Sequence, residues 1–338
     1  MTAVEWLTAQ LAPLVGQSWA VLVVYLALSA ATIGFVLAAA PGLVWGMRKV
    51  MGHVQHRTGP YRVGPFGLLQ PVADGIKLVS KEDIVPAGVD EFSWKLAVYV
   101  LPVPVFIVFL FIPWHPGFVV SNVATGIVLL LAVAAISPVG EVLAGWGSNN
   151  KYSVLGGLRA AAMDVAYEVP LVLAAASVVI LTGSMEMQAI VEAQQGVWFF
   201  LVQPIGLFIF LIAGLAKIGV APVDLAEAES EFVAGFHTEY SGMRFGLLFL
   251  TLFANIILIS LLTSILFLGG WQAPLGLFDG VWWLLAKTVV IAVFLLTTWF
   301  TLPRVRVDQF MNLGWKLLFP LALVNMVIAG VLAKGGIV

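Results

Sequence analysis

Five carboxyl groups, those of Asp224, Glu227, Glu229, Glu231 and Glu239, fall in one short stretch between two long apolar runs. Carboxylates crowded together hold protons more tightly, so such a cluster can take up a proton near neutral pH and pass it on. Glu227 and Glu231 are spaced i,i+4, on one helical face, where like charges repel. The plainer alternative is a solvated acidic loop that only repels anions. Leu225, Phe232, Val233 and Phe236, interleaved with the acids, favour partial burial instead.

A second set lies near or inside the apolar runs: Glu141, Asp164, Glu168 and Lys287. Ionisable groups at membrane depth are costly and usually pair or conduct protons. Lys287 follows Trp282-Trp283 and is expected to snorkel to the outer interface. Glu168, between Tyr167 and Val169-Pro170, needs a partner or a proton. The third set is the basic, turn-rich segment His53-Val-Gln-His-Arg-Thr-Gly-Pro-Tyr-Arg-Val-Gly-Pro-Phe-Gly. Its Arg57 and Arg62 can bind a polar head group, dock an acidic partner, or merely set topology. His53 and His56 lack a third ligand in reach, so no metal site is expected. Phosphate-cradle, nucleophile-elbow and dinucleotide fingerprints are missing, and no catalytic residue is assigned. Cysteine is absent, which removes disulfides, thiolate metal sites and iron–sulfur ligation from this chain.

The elements that must hold these groups are membrane helices. The 338 residues are 61% hydrophobic and only 10% charged, with a mean hydropathy of +1.05. Soluble domains carry about 25% charged residues. We read an all-α polytopic membrane protein, a single membrane domain over 1–338, with about eight transmembrane helices and amphipathic helices on the inner face. The spans fall near 19–46, 96–113, 118–143, 163–183, 198–220, 243–268, 281–302 and 315–335. Pro102 and Pro104 break the second, and Pro41, Pro138, Pro170 and Pro204 interrupt others. Met1 to Gly16 reads as an amphipathic interfacial segment without the basic start of a cleavable signal.

Fourteen of the sixteen Lys and Arg residues fall in loops one, three, five and seven, and the even-numbered loops carry none. By the positive-inside rule the odd loops face the cytoplasm or its organellar equivalent, with both termini outside. The long inner loops run about 47–95 and 217–243. Within the first, Phe66 to Val79 spaces its apolar residues as an amphipathic helix, with Asp74 and Lys77 on the other side. The residues alone thus give a membrane subunit that handles protons or binds an amphipathic ligand on its inner face, without a redox cofactor of its own.

These segments resemble the quinone-site membrane subunits of respiratory complex I, the H type of bacteria (subunit 1 of the mitochondrial enzyme). The resemblance rests on Arg57-Thr-Gly-Pro-Tyr-Arg-Val-Gly-Pro-Phe-Gly through Lys77, Lys81-Glu-Asp, Ala144-Gly-Trp, and Asn150 to Ala162 with Tyr167-Glu168. The Pro222–Gly242 stretch, Gly269-Gly-Trp, Leu302-Pro-Arg-Val-Arg-Val-Asp-Gln-Phe-Met and Gly314-Trp-Lys complete it. It spans about residues 48 to 320 in the family's order. It implies a subunit of a proton-translocating NADH:quinone oxidoreductase in an energy-transducing membrane, the bacterial inner (plasma) membrane. Quinone is then the substrate at an interface with peripheral subunits carrying the terminal Fe–S cluster. Flavin and all clusters reside in partners, and small membrane subunits lead on to antiporter-like ones. Membrane lipid is a further partner, and nucleic acid is not. Carried over residue by residue, Arg48, Arg57, Arg62, Phe66, Asp74 and Tyr240 line the quinone cavity and its entrance. Glu168, Asp224, Glu227, Glu229, Glu231 and Glu239 belong to the proton-coupling path.

The chain departs from the family's pattern at Met47, Lys217, Val220 and Trp299, where charges of other kinds are usual, and at Ala135. Lys217 reverses a sign. Other readings are a complex I-like enzyme fed by ferredoxin or a deazaflavin, an energy-converting hydrogenase subunit, and an independent transporter. The hydrogenase relatives carry Thr-His-Leu-Glu-Leu-Thr where this chain has Glu229-Ser-Glu-Phe-Val-Ala, and a transporter would show repeated halves.

Overall fold

A computed structural model describes residues 3–226, 229–274 and 278–335. Among the described residues the architecture is all-α, and seven helical segments are long and apolar enough to cross a membrane. Helix α1 (Ala3–Val15) folds onto α2 (Gln17–Val54), with Val4, Leu7 and Leu11 against Val24, Leu28 and Val120. The amphipathic helix read within the first long loop is α3 (Gln70–Ser80). The second span is α4 (Glu91–Val100) and α5 (Pro102–Val108), divided where Pro102 and Pro104 remove backbone donors. The third is α6 (Gly126–Ala134) and α7 (Ser137–Gly147), divided before Pro138. Then come α8 (Lys151–Thr182), the short α9 (Met187–Glu192) and α10 (Phe199–Val202), α11 (Pro204–Ile218), and the single turn α12 (Glu229–Phe232). Helices α13 (Gly242–Phe267), α14 (Val281–Thr301), α15 (Val307–Asn312) and α16 (Phe319–Lys334) complete the bundle, with a π turn joining the last two.

Three expectations are corrected. Pro41 and Pro170 do not end their helices, since α2 and α8 run through them. The fourth span starts twelve residues earlier than its apolar run, because the Asn150 side chain caps α8 by accepting from the Tyr152 N–H. Asp164 and Glu168 therefore lie well inside the helix instead of opening it. The fifth expected span is two pieces, α10 and the 15-residue α11, separated at Gln203. That break is served from within: Ser177 donates to Gln203 Oε1 at 2.8 Å and accepts from Asn325 Nδ2 at 2.9 Å. Such internal pairing is what hydrocarbon demands of irregular backbone.

The loops sort into two sets at opposite ends of the bundle. At one end Asp90 N–H donates to Gly147 O (2.9 Å), Asn149 to Gly88 O (2.8 Å), Ile84 N–H to Ser241 (3.2 Å) and Val305 N–H to Pro222 O (3.1 Å). These contacts gather loops one, three, five and seven, the basic set, as their alternation predicts. At the other end Ile127 N–H donates to Met185 O (3.2 Å) and Gly269 N–H to Gln194 Oε1 (2.9 Å), gathering the even loops.

Lys287 does not snorkel. It is buried, and its ammonium donates to the carbonyls of Leu268, Gly270 and Gln272 at 2.5, 3.0 and 2.7 Å, beneath the Trp198 ring at 4.1 Å. It satisfies carbonyls left over where α13 ends. Lys287→Met should orphan these acceptors and lower stability by about 1–3 kcal/mol. Thermal unfolding in detergent measures this, and an unchanged midpoint would count against the role.

Candidate functional site

The basic-loop end carries nearly every group singled out from the sequence. Arg48 and Lys49 belong to α2, which runs on to Val54 before the chain turns. The turn-rich segment folds back on that helix at two glycines: a Cβ on Gly52 would stand 2.8 Å from Gly59 N. Trp45 Nε1 donates to Phe66 O at 3.1 Å, and Phe66 adopts a positive φ of 54° with its ring largely exposed. Arg57 and Arg62 are exposed, with Arg57 Nε donating to Gln55. His53 Nδ1 lies 2.8 Å from Lys49 O.

Helix α3 is pinned to α2 by one carboxylate. Asp74 accepts from Arg48 and, at 3.0 Å, from Gln70 Nε2. Partial burial pushes the Asp74 carboxyl up. The hydrogen bonds from Arg48 and Gln70, with the charges of Arg48 and Lys77, outweigh that and hold it below its ordinary value. Pro71, Val72, Ile76 and Val79 of α3 face Pro41 across an apolar groove of about 520 Å³. Ile76 and Val79 remain 66% and 70% exposed, so this apolar face has no cover among the described residues.

The acidic segment packs against the same end. Asp224 accepts from Arg304 at 2.8 Å, Glu231 from Arg159, and Glu239 from Asn150 at 2.7 Å. Each of these acids faces a donor from another element. Glu227 lies outside the described residues, as does the side chain of Glu229, whose backbone opens α12. Tyr240 is buried, stacked on Trp94 at 5.0 Å, and donates to Trp94 O at 3.1 Å. Burial pushes its ionisation up, and Arg244 with a Ser148 hydrogen bond offsets only part. Arg244 in turn lies over the Trp94 ring at 4.2 Å and pairs with Asp83 at 2.9 Å. These contacts join residues 83–94 to 239–244 firmly.

Beneath the acidic segment lies a cavity of about 40 Å³, lined by Glu141, Asp164, Lys217, His237, Thr251 and Asn255 among others. Its volume suits a small number of waters, and it is polar enough to hold them. The Asn255 Oδ1 atom is buried without a hydrogen-bond partner among the described residues. His237 reaches the cavity because Gly156 and Gly235 let its turn lie against α8, where a Cβ on Gly156 would meet Gly235 Cα at 2.7 Å. Ser153 fixes the same turn by donating to Phe236 O at 3.2 Å. On the far side, Lys217 pairs with Glu168 at 2.8 Å and donates to Ala134 O at 3.2 Å. Ala134 O is the carbonyl that Pro138, lacking an N–H, cannot serve.

Sequence reasoning marks Glu141 and Asp164 as ionisable groups near the spans but does not group them with His237, Asn255 and Lys217. It counts Arg159 only as a topological charge. The capping residue Asn150 is the signal that would have placed Asp164 at depth.

A model of the NADH dehydrogenase family matches residues 26–330. A protein of Dehalococcoides mccartyi strain CBDB1, named as the H subunit of NADH-quinone oxidoreductase, is 47% identical over 310 residues, covering 92% of this chain and 86% of that protein. One of the same name from Desulfotalea psychrophila is 42% identical over 316 residues (90% and 95%). The second of the H subunits so named in Rhizobium meliloti is 45% identical over 298 residues (86% and 91%).

His237 supplies a pH test. Burial pushes its pKa down from 6.5 to about 4, so it is neutral at pH 7. The unfolded chain then binds more protons between these values, and stability present above pH 6.5 is lost as pH falls toward 4. His237→Gln should flatten that part of the unfolding-temperature profile between pH 7 and 4. A profile identical to wild type would show that another group governs it.

Proposed function

The chain belongs to the NADH dehydrogenase family, and on that premise we propose that it is the H-type membrane subunit of a proton-translocating NADH:quinone oxidoreductase. In this reading it forms the membrane end of the quinone cavity and the start of the charged path that couples quinone chemistry to proton movement. One observation carries it: a groove with an exposed apolar face, a cluster of cations and an acid-bearing segment lie at one end of the bundle, and that segment also lines a polar cavity.

The groove beside α3 suits the isoprenoid part of a quinone arriving from lipid. Arg48, Arg57 and Arg62 offer donors to a polar head group, Phe66 presents an open ring, and Asp74 holds Arg48 in place. Tyr240 serves by position, since its hydroxyl is taken by a backbone carbonyl and its ring ties the two inner loops together. Electrons come from a terminal Fe–S cluster in a peripheral-arm neighbour, and flavin resides further off. The chain contains no cysteine with which to hold a cluster.

Quinone reduction takes up protons, and a change of charge near Asp224, Glu227, Glu229, Glu231 and Glu239 shifts the proton affinity of groups beneath them. His237 and the cavity give that change a way inward, and Glu168 lies at its far side. Small membrane subunits and then antiporter-like subunits continue the path. The basic end faces the cytoplasm of a bacterial cell, with both termini on the other side of the inner membrane.

Asp74→Asn in the assembled enzyme should slow quinone turnover up to about fivefold, since a half-exposed ion pair contributes about 1 kcal/mol or less. Electron transfer from NADH to an artificial acceptor should be unchanged. Glu231→Gln should lower quinone reductase activity in the same assay. Wild-type quinone rates in both variants would refute the assignment of these residues.

A further inference from the structure

The Lys217–Glu168 pair joins two environments. The Lys217 side chain is 9% exposed and lines the internal cavity with Asp164 and Glu141, while Glu168, outside that lining, is 21% exposed. Asp164 and Glu168 stand four residues apart on α8, one above the other on the same face. Asp164 lies in the field of both Lys217 and Glu168. One ammonium therefore faces two carboxyl groups at membrane depth, where an uncompensated charge is costly. It neutralises one carboxylate at a time, and a proton must neutralise the other. The ammonium also rests on Ala134 O, 3.2 Å away, at the end of a flexible stem, and Asp164 lines the same cavity.

We propose that Lys217 is a positioning residue for proton transfer, a movable counter-ion held in turn by Glu168 on the flank of the bundle and Asp164 inside the cavity. In the arrangement seen here Lys217 pairs with the Glu168 carboxylate and Asp164 carries the proton. Transfer breaks the O–H bond of Asp164 and forms one on Glu168, directly or through a cavity water, and the ammonium swings to the new Asp164 carboxylate. Net charge is conserved, and a proton has moved one helical turn from the cavity to the flank. Glu141, His237 and Asn255 are the other polar groups facing the exchange, and His237 links it to the acidic segment above. This inference rests on the proton-coupling function proposed above and names the group that performs one step of it.

The test uses the intact complex in liposomes, scoring quinone reduction and proton translocation separately. Lys217→Met should keep most quinone reduction while protons moved per electron fall about tenfold, and Lys217→Arg should restore them. Infrared difference spectra of the wild-type complex, oxidised against reduced, should show paired carboxyl bands of opposite sign. Glu168→Gln should abolish one and Asp164→Asn the other, a signature that a purely structural lysine would not produce. Unchanged proton stoichiometry in Lys217→Met overturns the inference. If that variant fails to assemble, the absence of the paired bands from the wild-type spectrum overturns it equally. A wild-type complex that reduces quinone without moving any proton overturns the parent function and this step together.

Discussion

A polar group removed from water inside a bilayer must find its partner in the protein, and this constraint organises the whole chain. Where Pro138 withholds a hydrogen bond, Lys217 serves the stranded carbonyl of Ala134. Where α13 ends, Lys287 collects three carbonyls. Where α10 and α11 part, Ser177, Gln203 and Asn325 close the gap. Each repair brings in a side chain from another element, so satisfying buried polar groups also fixes how the helices pack.

The same constraint makes the inner end chemically capable. Acids that would repel one another along the chain are each met by a donor, Arg304, Arg159 or Asn150, from three different elements. The segment becomes a pinned cover over the cavity instead of a loose acidic loop. In the proposed reading, redox chemistry belongs to other subunits, and this chain contributes shape, electrostatics and a route for charge. Lys217 keeps Glu168 paired where an acid in its place would repel it.

Much of this was legible in the residues. The alternation of basic loops with loops that lack Lys and Arg foretold which ends meet, and the Ile84–Ser241 and Val305–Pro222 contacts agree with it. The spacing of Phe66 to Val79 foretold α3. Helix ends were less legible, because hydropathy reports the apolar run and is blind to polar turns that extend it. Asn150 begins α8 well outside the greasy stretch, so Asp164 was read at a helix mouth when it belongs to the interior. Pairings such as Glu231 with Arg159 or Lys217 with Glu168 were not legible at all. They depend on how helices rotate against one another, and a single sequence records no such angle.

Helix α2 has a further consequence for how substrate and water meet. At about 1.5 Å of rise per residue, its 38 residues reach about 57 Å, against a hydrocarbon layer of about 30 Å. A rod so much taller than the oil must lean or project beyond it, and Pro41, lacking an N–H, interrupts its hydrogen bonding partway up. Its cationic tip, with Arg48 and Lys49, is thereby carried toward the aqueous side, while Pro41 stays level with the apolar groove. A molecule with a long greasy tail can keep that tail in oil while its head climbs this mast toward water.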